Sequence, residues 1–415
     1  MANRIKQIFA LLLGLIVFVT LYPSVAFAHG EKALEPFIRM RTIQWYDVNW
    51  SKKDMGVNDE VEITGKFHVA EDWPINVPKP EATYLNVAAP GPVFVRTERY
   101  INDQPTMNSI ELKEGGDYTF KTVLKAREPG RYHIHPFFNL RDAGVVVGPG
   151  SWVEVSGDAG DFSNDIQLLS GDFIDMESYG LSNAIFWHAL WILAGTAWLL
   201  WWARRPLFIQ RYKMLENGQE AELVTQTDRT LGKVILVAVV VVVIGANAYY
   251  QGKHPNAIPL QAARDQIRPL PTVVNDGDVD VRVNKVVYQI PERRMVLNVD
   301  VENLTDTPLE IGELSIANVR FINPNVAAAD QLSTDELAVK TGLLIDDNSP
   351  IAPGERKTLS IEASDAAWET EKLDGLIRDA DSRMGGLLFL YDAEGRRQIV
   401  SLSAPVIPKF GDANS

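Results

Sequence analysis

The chain has 415 residues, a formal net charge of −14 and no cysteine. That length asks for two or three domains. The absence of thiols excludes disulfides, zinc fingers, iron–sulfur clusters and thiolate-bound copper, and the acidity, with no basic stripe or phosphate-cradling glycine loop, excludes a nucleic-acid partner.

Residues 1–28 read as a signal peptide. Arg4 and Lys6 form a charged start, Ile8 to Leu21 an apolar run, and Ala26-Phe27-Ala28 a small-x-small cleavage end. The apolar run is shorter than the roughly 20 residues a spanning helix needs. Cleavage there makes His29 the first residue of the mature chain.

Residues 29–170 are expected to form an all-β domain. Val61, Ile63, Gly65 and Phe67 alternate with Glu62, Thr64, Lys66 and His68, and Tyr118, Phe120, Thr122 and Leu124 repeat the pattern less cleanly. Short alternating runs separated by Gly, Pro, Asn and Asp indicate a sandwich or barrel. Residues 184–202 are apolar and uncharged, the pattern of a transmembrane helix, with Trp187, Trp191, Trp198, Trp201 and Trp202 along it. These tryptophans suit an aromatic belt or a face packed on another membrane subunit. A second span covers 231–250. The loop between, 203–230, carries Arg204, Arg205, Arg211, Lys213 and Arg229, which makes it cytoplasmic by the positive-inside rule and puts both flanking regions on the exported side. The signal peptide requires the same topology independently. Residues 251–277 form a Pro-containing linker running over a surface. Residues 278–408 form a second exported β domain, in which Met295, Leu297, Val299 and Val301 alternate with Val296, Asn298, Asp300 and Glu302.

The chemistry rests on three of the 6 histidines. An N-terminal His29 offers its α-amine and its ring together. On a strand, His133 and His135 point to one face while Tyr132 and Ile134 point into the core. A nitrogen-only, roughly planar donor set of this kind favours copper. It suits oxygen activation, copper storage or a structural role alike. The other histidines have plainer readings. His68 lies on the polar side of its strand and is expected at the surface. His188, near the exported end of the first span, is either an interfacial residue or an intramembrane functional group. His254 follows the second span at headgroup level.

Several longer motifs carry a resemblance. They are HGEK at 29–32, RMRTIQWYDVNW at 39–50, GKFHV at 65–69, PGPVFVR at 90–96, PGRYHIH at 129–135 and GPGSW at 148–152. Further on come FWHALW at 186–191, ARRPLFI at 203–209, IPLQA at 258–262, DNSPIAPGE at 347–355 and DAAWE at 365–369. From His29 to about Pro408 the chain resembles the B subunits of the copper membrane monooxygenases, the particulate methane and ammonia monooxygenase group. The resemblance implies two cupredoxin-like β-sandwiches joined by two transmembrane helices, in a bacterial inner or intracytoplasmic membrane with both β domains periplasmic or lumenal. It implies A and C membrane subunits as partners in a trimer of heterotrimers, and copper held by His29, His133 and His135. The implied reaction inserts one oxygen atom from O2 into methane or ammonia, with the catalytic residues left open because the resemblance favours the membrane C subunit as the place of the chemistry. Some members carry a histidine where this chain has Gln44, forming a further copper site with the equivalent of His68; here that site is expected to be absent or weak. Two readings from other classes stand beside this one. An exported copper-delivery protein has no need of two spans and a second sandwich and often carries Met clusters, whereas the 8 Met here are scattered. A secreted polysaccharide oxygenase needs no membrane spans at all.

Overall fold

A computed structural model describes residues 33–168, 171–206, 208–253, 265–331 and 337–411. The signal-peptide segment, His29 and His254 lie outside the described residues.

The first β domain begins with a short helix, α1 (Pro36–Arg39). Its strands are β1 (Ile43–Trp50), β2 (Asp54–Gly56), β3 (Glu60–Val69), β4 (Thr83–Ala88), β5 (Phe94–Ile101), β6 (Gln104–Pro105), β7 (Ile110–Glu111), β8 (Asp117–Ala126), β9 (Gly130–Leu140), β10 (Gly144–Val147) and β11 (Ser151–Ser156). One sheet runs β1-β3-β8-β5-β6. The facing sheet contains β7-β4-β9-β11-β2, with β10 hairpinned onto β9. The alternation seen in β3 has a direct cause. Val61, Ile63 and Phe67 are fully buried, and Phe67 joins Trp45, Phe120 and Phe138 in an aromatic centre with ring separations of 4.8 to 6.4 Å. Tilted, edge-on and stacked pairs of this kind add to plain area burial.

A small hairpin, β12 (Asp165–Gln167) with β13 (Phe173–Asp175), leads to helix α2 (Leu181–Ala203). The stretch read from sequence as a loop holds two short helices, α3 (Phe208–Glu216) and α4 (Glu220–Leu223), before the long helix α5 (Gln226–Lys253). Both α2 and α5 are long and apolar enough to cross a membrane. They are fastened at both ends. At one end Trp187 Nε1 donates to Tyr250 Oη (3.1 Å), which donates to Asn183 Oδ1 (2.5 Å). At the other, Trp201 Nε1 (3.0 Å) and Arg205 (2.7 Å) donate to Asp228, whose second oxygen accepts from the Thr225 backbone. Two of the tryptophans therefore hold the helical pair together, a role that neither reading of the Trp-rich face included. His188 bonds within its own helix, with Nδ1 2.7 Å from the Ala184 carbonyl.

The linker is more firmly seated than a surface run. Its strand β14 (Asp265–Gln266) extends the sheet of the first domain beside β7, and Ile267 and Val274 are buried. The second domain comprises β15 (Val279–Gln289), β16 (Arg294–Asn303), β17 (Glu310–Ile316), β18 (Val319–Ile322), β19 (Ala338–Val339), β20 (Leu343–Ile345), β21 (Arg356–Ser364), β22 (Arg383–Tyr391) and β23 (Arg397–Lys409). Two layers arise because β23 changes partners: residues 397–405 pair antiparallel with β22, and residues 406–409 pair parallel with β15. Met295, Leu297, Val299 and Val301 are fully buried between the layers, as their alternation predicts.

The domains share a boundary. Met40, just past α1, is buried in the core of the second domain, and Phe37 packs directly on Gly375. Arg41 pairs with Asp381 (2.7 Å) and Arg383 with Asp72 (2.8 Å). Asp47 bridges Arg397 and Lys66, and Tyr46 packs beside Val274 and Phe389 in an apolar cluster between the sandwiches.

Candidate metal centre

The site is built on β9 and the loop before β11. Strand alternation buries Ile134, Pro136 and Phe138 and leaves His133 and His135 half-buried on the opposite face. The loop Gly148-Pro149-Gly150 then folds over the rings. His135 Nδ1 lies 3.0 Å from the Gly148 carbonyl. A carbonyl only accepts, so Nδ1 carries the proton and Nε2 presents a lone pair. That Nε2 is 2.9 Å from His133 Nδ1, with the two rings edge-on at 4.5 Å.

These residues fit a metal on three grounds. Two imidazole nitrogens about 2.0–2.1 Å from one ion and at right angles about it lie about 2.9 Å apart, close to the observed separation. The Gly148 carbonyl is the outer partner that fixes the tautomer of a metal-binding histidine. Gly150 is a cradle: a Cβ there would stand 2.4 Å from His135 Cε1 and 2.8 Å from His133 Cε1. Trp152, across from His133 in the β9–β11 register, closes the outer side with its ring 4.9 Å from the His133 ring, and Arg131 lies 4.6 Å over the indole. Among the described residues no third His, Cys, Asp or Glu completes a cluster with the pair. His29 lies outside them. The described chain starts at Ala33, which bridges to Val145 of β10.

His68 corrects its sequence reading. It is 1% exposed, not at the surface. Nδ1 is 2.8 Å from Asp117 Oδ1, and Nε2 is buried with no hydrogen-bond partner. Asp117 Oδ2 accepts from the backbone N–H of Val273 (2.7 Å) and Val274 (3.0 Å). Burial pushes the Asp117 carboxyl up, but His68 and the two backbone amides outweigh it and hold it below the usual carboxylate range. The polar side of β3 is buried at this end because the linker lies across it. Gln44, opposite His68 in the β1–β3 register, has its amide taken at both ends, by the Met40 carbonyl (2.9 Å) and the Ser401 hydroxyl (3.0 Å). Asp117 and Gly150 are the functional neighbours that sequence reading missed. The Gly-Pro-Gly spacing before Trp152 was a usable signal for a tight approach, whereas nothing local to Asp117 announces its partner 49 residues away.

The architecture is thus a membrane-anchored pair of β domains with two histidines converging on one side of the first. The sequence matches the family model of the monooxygenase B-subunit protein over residues 30–410. The particulate methane monooxygenase alpha subunit of Methylococcus capsulatus (strain Bath) is 43% identical over 400 residues, covering 96% of this chain and 96% of that relative. A solved cupredoxin domain of amoB from Nitrosocaldus yellowstonii is a structural neighbour at 20% identity and a TM-score of 0.24, covering 28% of this chain and 89% of that domain. The chain belongs to the monooxygenase B-subunit family, the B subunits of particulate methane and ammonia monooxygenases, which are copper enzymes of several subunits.

Proposed function

We propose that His133 Nδ1, His135 Nε2, and the ring and α-amine of His29 hold copper on the exported side of the membrane. The chain then serves as the copper-binding member of a complex that oxidises methane to methanol, or ammonia to hydroxylamine, with O2. The observation that carries this reading is the convergence of the two ring nitrogens in a pocket that only a glycine at position 150 leaves open. The short distance from His29 to Ala33 supports the third ligand: four residues reach at most about 14 Å, and Ala33 runs beside the hairpin that carries the pair.

Copper bound there supplies a redox-active centre for O2 chemistry. The protein's own part is positional. Gly148 holds the His135 proton on Nδ1, Trp152 fixes the plane of His133, and the buried Ile134 and Phe138 pin the strand beneath. In this reading the complex includes the A and C membrane subunits in a trimer of such units, both β domains face the periplasm or lumen, and the basic segment between α2 and α5 is cytoplasmic. The site serves assembly or electron supply as readily as catalysis. Cu(II) EPR on the mature protein, with its N-terminus verified by mass spectrometry, tests the assignment. A type 2 signal with nitrogen hyperfine structure, lost in His133→Ala, is expected. Copper-loaded, oxidised protein without nitrogen coupling would overturn it.

A further inference from the structure

The boundary between the sandwiches encloses a second feature, a cleft of about 960 Å³. Its walls carry six cationic side chains, Lys53, Lys66, Lys121, Arg320, Arg396 and Arg397, against three carboxylates, Asp47, Asp103 and Glu313. In a chain of net charge −14 this is a local reversal of sign. Pairing does not cancel it. Arg320 is neutralised by Glu313 (2.6 Å) and Arg396 by Asp392 (2.7 Å) beside the cleft, but Asp47 alone serves both Lys66 and Arg397. Lys121 has only the face of Tyr100, 4.5 Å away, and neither Lys53 nor Lys121 has a carboxylate within salt-bridge distance among the described residues. Like charges gathered in a concave, partly apolar space repel one another and focus potential on its interior.

The cleft is shaped by specific backbone features. Asp47 sits at φ 53° where the β1–β3 register slips, so the strand bulges and turns its carboxylate toward Lys66 and Arg397. Gly65 keeps the floor low, since a Cβ there would meet Phe120 at 2.7 Å. In one sandwich the cations come from the turn before β2 (Lys53), from β3 (Lys66) and from β8 (Lys121), and in the other from β18 (Arg320) and the β22–β23 junction (Arg396 and Arg397), so they surround a volume instead of tracking a line. Pockets of about 300–1,000 Å³ hold small ligands. We propose that this cleft binds a small polyanion, a ligand bearing two or more phosphate or carboxylate groups. Gly150 lines the cleft and also touches the His133 and His135 rings, so an occupant is separated from the histidine pair by one loop.

The test needs no copper. Pyrophosphate and citrate are titrated separately, by calorimetry, into the purified complex in lipid nanodiscs. The expected result is saturable binding of at least one of them, one per chain, that weakens as salt is raised. Lys121→Gln and Lys53→Gln should each raise the Kd at least ten-fold with an unchanged thermal unfolding profile, Lys121→Arg should retain binding, and Lys213→Gln, between the long helices, should leave it untouched. The proposal is overturned by no saturable heat with either anion, by equal binding in the Lys53→Gln/Lys121→Gln double variant, or by a hexaglutamate peptide binding more tightly than both, which would make the cleft a docking surface for an acidic segment.

Discussion

His133 and His68 stand on strands of the same sandwich, and each has another ionisable or polar group within 3 Å, yet their surroundings differ in kind. His133 faces His135 across 2.9 Å in a half-open pocket walled by a glycine loop and an exposed tryptophan. His68 is sealed beneath the linker with one nitrogen committed to a buried carboxylate. The first arrangement brings two ring nitrogens together on a shared face. The second commits His68 Nδ1 to Asp117, whose other oxygen fastens the segment that leads into the second domain, and leaves Nε2 buried without a partner. Position on a strand decides which way a histidine points, and what lies across the strand decides what it can do.

The contrast breaks most visibly at Asp117. Asp117→Ala leaves His68 and two backbone amides without their acceptor, and breaking a buried pair costs roughly 3–5 kcal/mol. Thermal unfolding of the complex should show that loss, while copper content stays unchanged in whatever fraction remains folded. The same carboxyl predicts a pH dependence. Its folded pKa lies below the ordinary value of about 3.9, so its contribution is present above that value and is lost as pH falls through the depressed folded value. Acid titration of stability should therefore lose its steepness below pH about 4 in the Asp117→Asn variant. A curve identical to the parent's would remove Asp117 from the account.

The reverse signature is expected at the other pair. His133→Ala should lower copper affinity by at least about 100-fold, beyond the 10–100-fold typical of losing an outer partner, and leave unfolding of the second sandwich unaltered; full copper retention would sink the ligand assignment. Gly150→Ala should sharpen the point, because it removes no ligand. Its added methyl meets both rings, so a fall of about 10–100-fold in copper affinity is expected, read by competition with a chelator. Arg131→Ala is the mildest. It removes a cation from over Trp152 worth about 0.5–1 kcal/mol, enough to broaden the copper EPR lines slightly without loss of occupancy.

Much of this was legible in the sequence for identifiable reasons. Val61, Ile63 and Phe67 announce β3, and Met295 to Val301 announce β16, because a half-buried strand must alternate. The two spans are plain because a bilayer leaves little choice of composition. The pairing of His133 with His135 follows from the two-residue period alone. His68 failed for the opposite reason. Its neighbours Glu62, Thr64 and Lys66 mark a polar face, and no local pattern shows that residues 273–274 cover one end of it. The α2–α5 fastening was hidden in the same way, since Trp201 reads as a belt residue until Asp228 is placed beside it.

The placement of α1 on the second sandwich also imposes an order in time. Arg41 waits for Asp381, made 340 residues later, and Met40 has no core to enter until β22 is present. Helix α1 and the residues just past it therefore cannot reach their final packing while the rest of the chain is still emerging. A growing chain thus completes its histidine strand early and seats the α1 segment late, so under the proposed copper assignment capture by all three histidines would be a late step of biogenesis. Copper uptake by stalled chains ending before β22 should accordingly match that of a His29→Ala chain rather than that of the finished protein.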